Sequence, residues 1–262
     1  MKYMLLIKSD ARTETGQFPD DKHDEAMGKY NEELREAGIW VTAEGYQASS
    51  QGARVTLQNG DYTVTRGPFA NPEELIAGYW VIDVDSKDEA IAWAKRVPFE
   101  VDGEWLVEGT GEIEVRPFIV MPGSEDEQLA FDSSNTPSNG ANTKRFIGMI
   151  KSDEKIESGE MPPPEVFEAM GAAMEPLMRD GILVAADGLQ PTSQGARVNF
   201  ANGKPPVITD GPFAETKEIV GGYAIMRVPS LDEAVELAKQ AMQVEATWRP
   251  EPIELEVREL YG

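Results

Sequence analysis

The chain has 262 residues, 27% of them charged and 40% hydrophobic, which is long enough to bury one large core or two of ordinary size. It contains no cysteine, so disulfides, thiol catalysis and cysteine-based metal or iron–sulfur sites are excluded. Its 47 Asp and Glu against 24 Lys and Arg give a net charge of −23, without the clustered cations that nucleic-acid backbones or anionic membranes require.

In chain order, Tyr3–Lys8 reads as a short apolar strand, too short and too soon polar to begin a secretory signal. No apolar run approaches membrane-spanning length, so a cytoplasmic protein with an acidic, solubilising surface is expected. Residues Asp24–Ala37 carry Met27, Tyr30 and Leu34 at helical spacing and stop at Gly38, a C-cap residue. Ile39–Ala43 is a strand. Arg54–Leu57 and Tyr62–Thr65 flank Asn59-Gly60, a hairpin signal. Tyr79–Val84 is a β-branched and aromatic strand. Ser86 then N-caps a helix, with Glu89 at the reciprocal capping-box position and Ala90, Ile91 and Ala94 inward. Ile113–Arg116 is the closing strand.

The same elements then return. Ile7-Lys8-Ser9-Asp10 recurs as Ile150-Lys151-Ser152-Asp153, and Ser50-Gln51-Gly52-Ala53-Arg54-Val55 recurs from Ser193 to Val198. TRGPFANPEE (65–74) recurs as TDGPFAETKE (209–218), Gly78-Tyr79 as Gly222-Tyr223, and Glu114-Val115-Arg116 as Glu256-Val257-Arg258. Ordered anchors of this kind mark a tandem duplication: a first domain over 1–120, a Ser-, Asn-, Pro- and Gly-rich linker over 121–142, and a second domain over 143–262. Each copy has the βαββαβ order of a ferredoxin-like α+β sandwich, whose helix-free sheet face needs cover. The expectation is that the two sheets face each other in one chain and enclose a pseudo-dimeric α+β barrel.

The two Gly-Pro-Phe-Ala elements, the opening MKYMLLI, the Ala37-Gly38 helix ending and the Gly-Gly-Tyr strand together resemble the YCII-related, or DGPF-domain, family. That resemblance implies a dimeric α+β barrel with a cleft between sheet and helix. In one branch of the family a His–Asp pair lies in that cleft, and a few relatives dehydrochlorinate hydroxyaromatic compounds. Here the family's histidine position falls on Met27 and Met170; the sole histidine, His23, lies one turn earlier, opposite Val166 of the second copy. The dyad is therefore not reproduced at matching positions.

Asp210 in the complete signature is the candidate proton acceptor, or else an Asx-type turn residue. Arg66 stands at the same place in the first copy, as a lost carboxylate, a structural ion pair or an anion-binding group. Arg54 and Arg197 are candidate carboxylate clamps, or partners across strands. Glu44 and Asp187 end the second strand of each copy, with Gln47 and Gln190 three residues on. Tyr79 and Tyr223 are candidate ligand-stacking or core aromatics. Lys217 and Glu218 read as a solvent-side pair. No phosphate loop, metal-spaced histidines or cofactor motif is present, so no cofactor and no metal are expected. The expected function is binding of a small anionic or hydroxyaromatic molecule in one cleft. The alternatives are a lyase-like enzyme using Asp210, or a non-catalytic interaction scaffold. A monomer equivalent to the family dimer is expected, with further homodimerisation open.

Overall fold

The first strand, β1 (Lys2–Lys8), shows how each sheet is built. Tyr3, Leu5 and Ile7 point to a helix-covered core, while Met4 and Leu6 are buried on the opposite face. The computed structural model describes residues 1–16, 21–107, 109–120, 143–214 and 218–261; the expected linker, 121–142, lies outside them. The elements that follow are α1 (Ala11–Glu14), α2 (Asp21–Glu36), β2 (Trp40–Gly45), β3 (Ala53–Gln58), β4 (Asp61–Arg66), β5 (Ile76–Asp83), α3 (Lys87–Ala94), β6 (Glu100–Val101), β7 (Glu104–Trp105) and β8 (Gly111–Pro117). The second copy supplies β9 (Lys144–Lys151), α4 (Glu154–Glu157), α5 (Pro164–Arg179), β10 (Leu183–Gly188), β11 (Ala196–Ala201), β12 (Lys204–Asp210), β13 (Val220–Val228), α6 (Leu231–Glu245) and β14 (Ile253–Glu259).

The chain packs as two units. Unit 1 is Met1–Ala48, Ala70–Phe118 and Gln190–Ala214; unit 2 is Ser49–Phe69, Ile119–Leu189 and Glu215–Gly262. The unit 1 sheet runs β12-β11-β8-β1-β5-β2, and the unit 2 sheet β10-β13-β9-β14-β3-β4. Every pairing in both is antiparallel. Each copy therefore lends its hairpin to a sheet made mostly from the other: β11 pairs with β8, and β3 with β14. Both sheets are open, with edge strands at each end, and neither is a closed barrel. The expected barrel is corrected accordingly, because six strands with free edges do not close on themselves.

Local signals explain the elements. Asn59 (φ 54°) and Gly60 (φ 81°) both take the left-handed conformation that a two-residue hairpin loop demands. Helix α2 ends before Gly38 (φ 72°), in the C-cap conformation favoured by glycine. Ser86 caps α3 by accepting from Glu89 N at 3.2 Å. The reciprocal half of the box is displaced by one residue, because Glu89 accepts from Asp85 N at 3.0 Å instead of from Ser86.

Tyr30 and Leu34 of α2 and Ala90, Ile91 and Ala94 of α3 pack on Leu5, Trp80, Ile82, Ile113 and Val115 to form the unit 1 core. Each large apolar side chain so buried stabilises the fold by about 1.5–3 kcal/mol. In unit 2, Ala234, Val235, Ala238 and Met242 of α6 cover Val55, Phe146, Leu255 and Val257. No helix among the described residues is long and apolar enough to cross a membrane.

Candidate functional site

On the face of each sheet away from these cores, strand register aligns charged and aromatic residues in one transverse row. In unit 1 it runs Glu44 (β2), Tyr79 (β5), Leu6 (β1), Glu114 (β8) and Arg197 (β11). In unit 2 the matching row is Asp187 (β10), Tyr223 (β13), Met149 (β9), Glu256 (β14) and Arg54 (β3). With strands about 4.8 Å apart, each row spans roughly 19 Å. Glu44, Tyr79 and Arg197, drawn from three separate motifs, thus share one face, as do Asp187, Tyr223 and Arg54.

Glu114 is the centre of the unit 1 network. It accepts from Arg116 Nη1 at 2.7 Å and lies 3.4 Å from Arg197 Nε, which also lies 3.5 Å from Glu112. Glu114 is 2% exposed and Arg116 0% exposed, so both charges are buried and must be satisfied within the protein. Arg116 does this with Glu114 and with the Gln190 carbonyl oxygen, to which its Nε donates at 3.1 Å. Burial pushes the Glu114 carboxyl up, but Arg116, Lys8 and Arg197 outweigh it and hold the group below the usual carboxylate range.

Unit 2 repeats the arrangement. Glu256 lies 2.9 Å from Arg54 Nε and 3.1 Å from Arg258 Nη1. Burial opposes its charge, and Lys151, Arg258 and Arg54 together hold it low. Its neighbour Glu254, 4.0 Å from Arg54, is pushed the other way: burial raises it, and the nearby Glu218 and Glu256 charges add to the rise.

The Gly-Pro-Phe-Ala signature forms the corner that follows each hairpin. A Cβ on Gly67 would sit 1.8 Å from the Ser49 carbonyl oxygen, and one on Gly211 1.8 Å from that of Thr192, so only glycine fits. Phe69 N donates to Ser49 Oγ at 3.0 Å and Phe213 N to Thr192 Oγ1 at 3.2 Å. The Arg54 guanidinium stacks 4.5 Å from the Phe69 ring centre, and that of Arg197 4.1 Å from Phe213. The SQGARV, GPFA and EVR repeats are therefore one contact set, with the phenylalanine under the arginine and the arginine on the glutamate.

Asp210 ends β12 with its side chain 69% exposed, 2.8 Å from Lys87 Nζ. Arg66 ends β4 and pairs with Asp232. Neither lies on the rows, which are reached by Thr209 and Thr65 instead. His23 lies on α2, 4.0 Å from Asp24. Gln190 is structural: its side chain donates to the Phe118 carbonyl oxygen at 3.0 Å. Lys217 falls outside the described residues, and Glu218, read from sequence as solvent-side, pairs instead with the buried Lys151. Sequence reasoning passed over Lys8, Lys151, Glu114, Glu256, Arg116 and Arg258. Their signal was present, because IKSD and EVR are repeated with the charged residues intact inside otherwise apolar strands.

Among known proteins, an uncharacterized protein of Rhizobium meliloti (strain 1021) is 30% identical over 96 residues, which is 36% of this chain and 77% of that relative. The YCII-related domain matches residues 1–116 and again 145–249. With its two matched copies and the corner that their signature builds, the chain belongs to the YCII-related family as a tandem duplicate.

Proposed function

We propose that this protein binds a small organic anion, of the hydroxyaromatic carboxylate class, on the row-bearing face of unit 1. The observation that carries this reading is the row itself, with Arg197 at one end and Tyr79 and Glu44 at the other, and with Lys8 two residues beyond Leu6 on the central strand β1, where its charge helps hold Glu114 low. A guanidinium and an ammonium hold a carboxylate by charge-assisted hydrogen bonds. The Tyr79 ring, 1% exposed and packed against Tyr46, walls this face from within, and a strand-end carboxylate accepts from a hydroxyl.

Asp210 has less support as a proton acceptor, since it is exposed and already paired with Lys87. The exchanged hairpins support a further reading, in which the two ferredoxin-like copies do within one chain what two chains do in the family dimer.

A thermal-shift series with benzoate, 4-hydroxybenzoate and phenol tests the site. The carboxylates should stabilise the wild type, by about 2.7 kcal/mol at 100 times the dissociation constant. Lys8→Met should remove that effect and Asp210→Asn should keep it. The reverse pattern would return the site to the signature aspartate.

A further inference from the structure

The two six-stranded sheets end in four edge strands, β12 and β2 in unit 1, β4 and β10 in unit 2. An open edge offers main-chain amides and carbonyls to any extended chain, and folded proteins guard against that. β2 and β10 are guarded by burial, since every residue along them is buried or half-buried. β12 is exposed but carries Pro205 and Pro206, which have no N–H to donate. β4 is exposed at every position except Tyr62, and its sequence, Asp-Tyr-Thr-Val-Thr-Arg, holds no proline, lysine or glycine. Its register shows which groups face away from the sheet. Gly67 N donates to the Gly52 carbonyl oxygen at 3.2 Å, one step past the Ala53–Arg66 pair of an unshifted ladder. The direction alternates from residue to residue, so Thr63 and Thr65 turn to β3, and the main-chain groups of Tyr62, Val64 and Arg66 turn outward.

We propose that β4 is a self-association edge, on which a second copy of this chain adds its own β4 antiparallel about a two-fold axis at Val64. That register sets Val64 opposite Val64 of the second copy and Tyr62 opposite Arg66 at each end. All three outward residues then exchange hydrogen bonds, roughly six in total. A register centred on Thr63 would leave Arg66 with no strand residue opposite. The side chains agree with the Val64 axis. Tyr62 and Arg66 lie on the α6 side, where Tyr62 Oη donates to the Lys239 carbonyl oxygen and Arg66 pairs with Asp232. On that side the two valines, each 36% exposed, cover one another, and each guanidinium stands beside a tyrosine ring. On the other side Thr63 faces Thr65, a favourable cross-strand pair. Charge agrees as well. Two chains of net charge −23 repel, and β4, with one Asp and one Arg, is a neutral place for them to meet. This self-complementarity favours a second copy over a foreign peptide.

Sedimentation of the full chain at about 0.15 M salt, which screens repulsion beyond ~8 Å, tests the contact. The wild type should show a monomer–dimer equilibrium. Val64→Lys, which sets like charges face to face at the axis, should raise the dissociation constant at least about tenfold. Its thermal unfolding should stay near wild type, because the side chain replaced is exposed. Val64→Cys gives a second, independent readout in a chain with no other cysteine. Facing residues of a hydrogen-bonded pair lie about 5.5 Å apart, within the span of a disulfide, so mild oxidation should yield a covalent dimer. Ile208→Cys, on the exposed but proline-bearing β12, should stay monomeric under the same conditions. A wild type that remains monomeric up to about 1 mM overturns the second copy as occupant. A dimer that survives Val64→Lys, or that cross-links through Ile208→Cys and not Val64→Cys, places the contact elsewhere and overturns the β4 edge.

Discussion

Asp210 and Arg66 stand at the same position in the two copies with opposite charge, and each meets an opposite partner at the start of a helix. Asp210 pairs with Lys87 at the first residue of α3, and Arg66 with Asp232 at the second residue of α6. The counterpart of Lys87 is Leu231 and that of Asp232 is Asp88, so the charge reversal follows the partner. Such exposed pairs contribute little, so Asp210→Asn should cost no more than about 1 kcal/mol in urea unfolding. Asp210→Lys should cost somewhat more, and adding Lys87→Asp should recover the difference, with a double-mutant cycle measuring the coupling. The reversal was visible in the sequence, but Lys87 lies 123 residues from Asp210 and nothing local pointed to it.

Two carboxyl classes also predict how stability depends on pH. The lowered Glu114 and Glu256 contribute stability that is present above the ordinary carboxylate range and lost as pH falls through their depressed values. Glu254, held above that range by burial, binds its proton more tightly in the folded chain, so its ionisation destabilises as pH rises. Glu254→Gln should therefore raise the melting temperature near neutral pH and leave it unchanged in acid, where both states are protonated.

At the scale of elements, the hairpins and their corners carry most of what the family signature encodes. A Cβ on Gly52 would lie 2.7 Å from the Val257 carbonyl oxygen, and one on Gly195 2.7 Å from that of Val115, so each hairpin enters its sheet through a glycine pressed against the neighbouring strand. Gly211→Ala, whose Cβ would meet Thr192 main chain, should destabilise by about 3 kcal/mol or more by chemical denaturation. An alanine at Gly28, with open space around it, should be neutral or slightly stabilising, because it replaces glycine inside a helix. Period and turn chemistry placed nearly all of the principal strands and helices correctly. The short β6–β7 ribbon was missed because two-residue strands have no period to read.

For the whole molecule, hairpin exchange means that neither copy contains the sheet it needs. A fragment of residues 1–120 lacks β11 and β12, and one of 143–262 lacks β3 and β4. Each should be unfolded alone or associate with itself by lending its hairpin, and mixing the two should give a one-to-one complex by light scattering. The charged pairs favour that mixture over the pairing of second copies. In a self-pair of second copies Asp210 would meet Leu231 in place of Lys87, with Asp232 beside it, whereas a self-pair of first copies would keep an aspartate, Asp88, opposite Arg66. A fragment that folds as a monomer would show that the hairpin is able to return to its own copy.

By itself the sequence determined the duplication, the order of strands and helices, the hairpin turns and the family. These rest on local patterns and on repetition, both of which can be read without knowing what lies nearby in space. Only the tertiary structure decided which sheet each hairpin joins, that Arg54, Glu256 and Phe69 form one contact set, and that Glu218 rather than Asp210 lies among the cations. The physical reason is that an antiparallel edge accepts any strand of matching pattern. Its partner is chosen by side-chain contacts between segments far apart in the chain, and no local period records that choice.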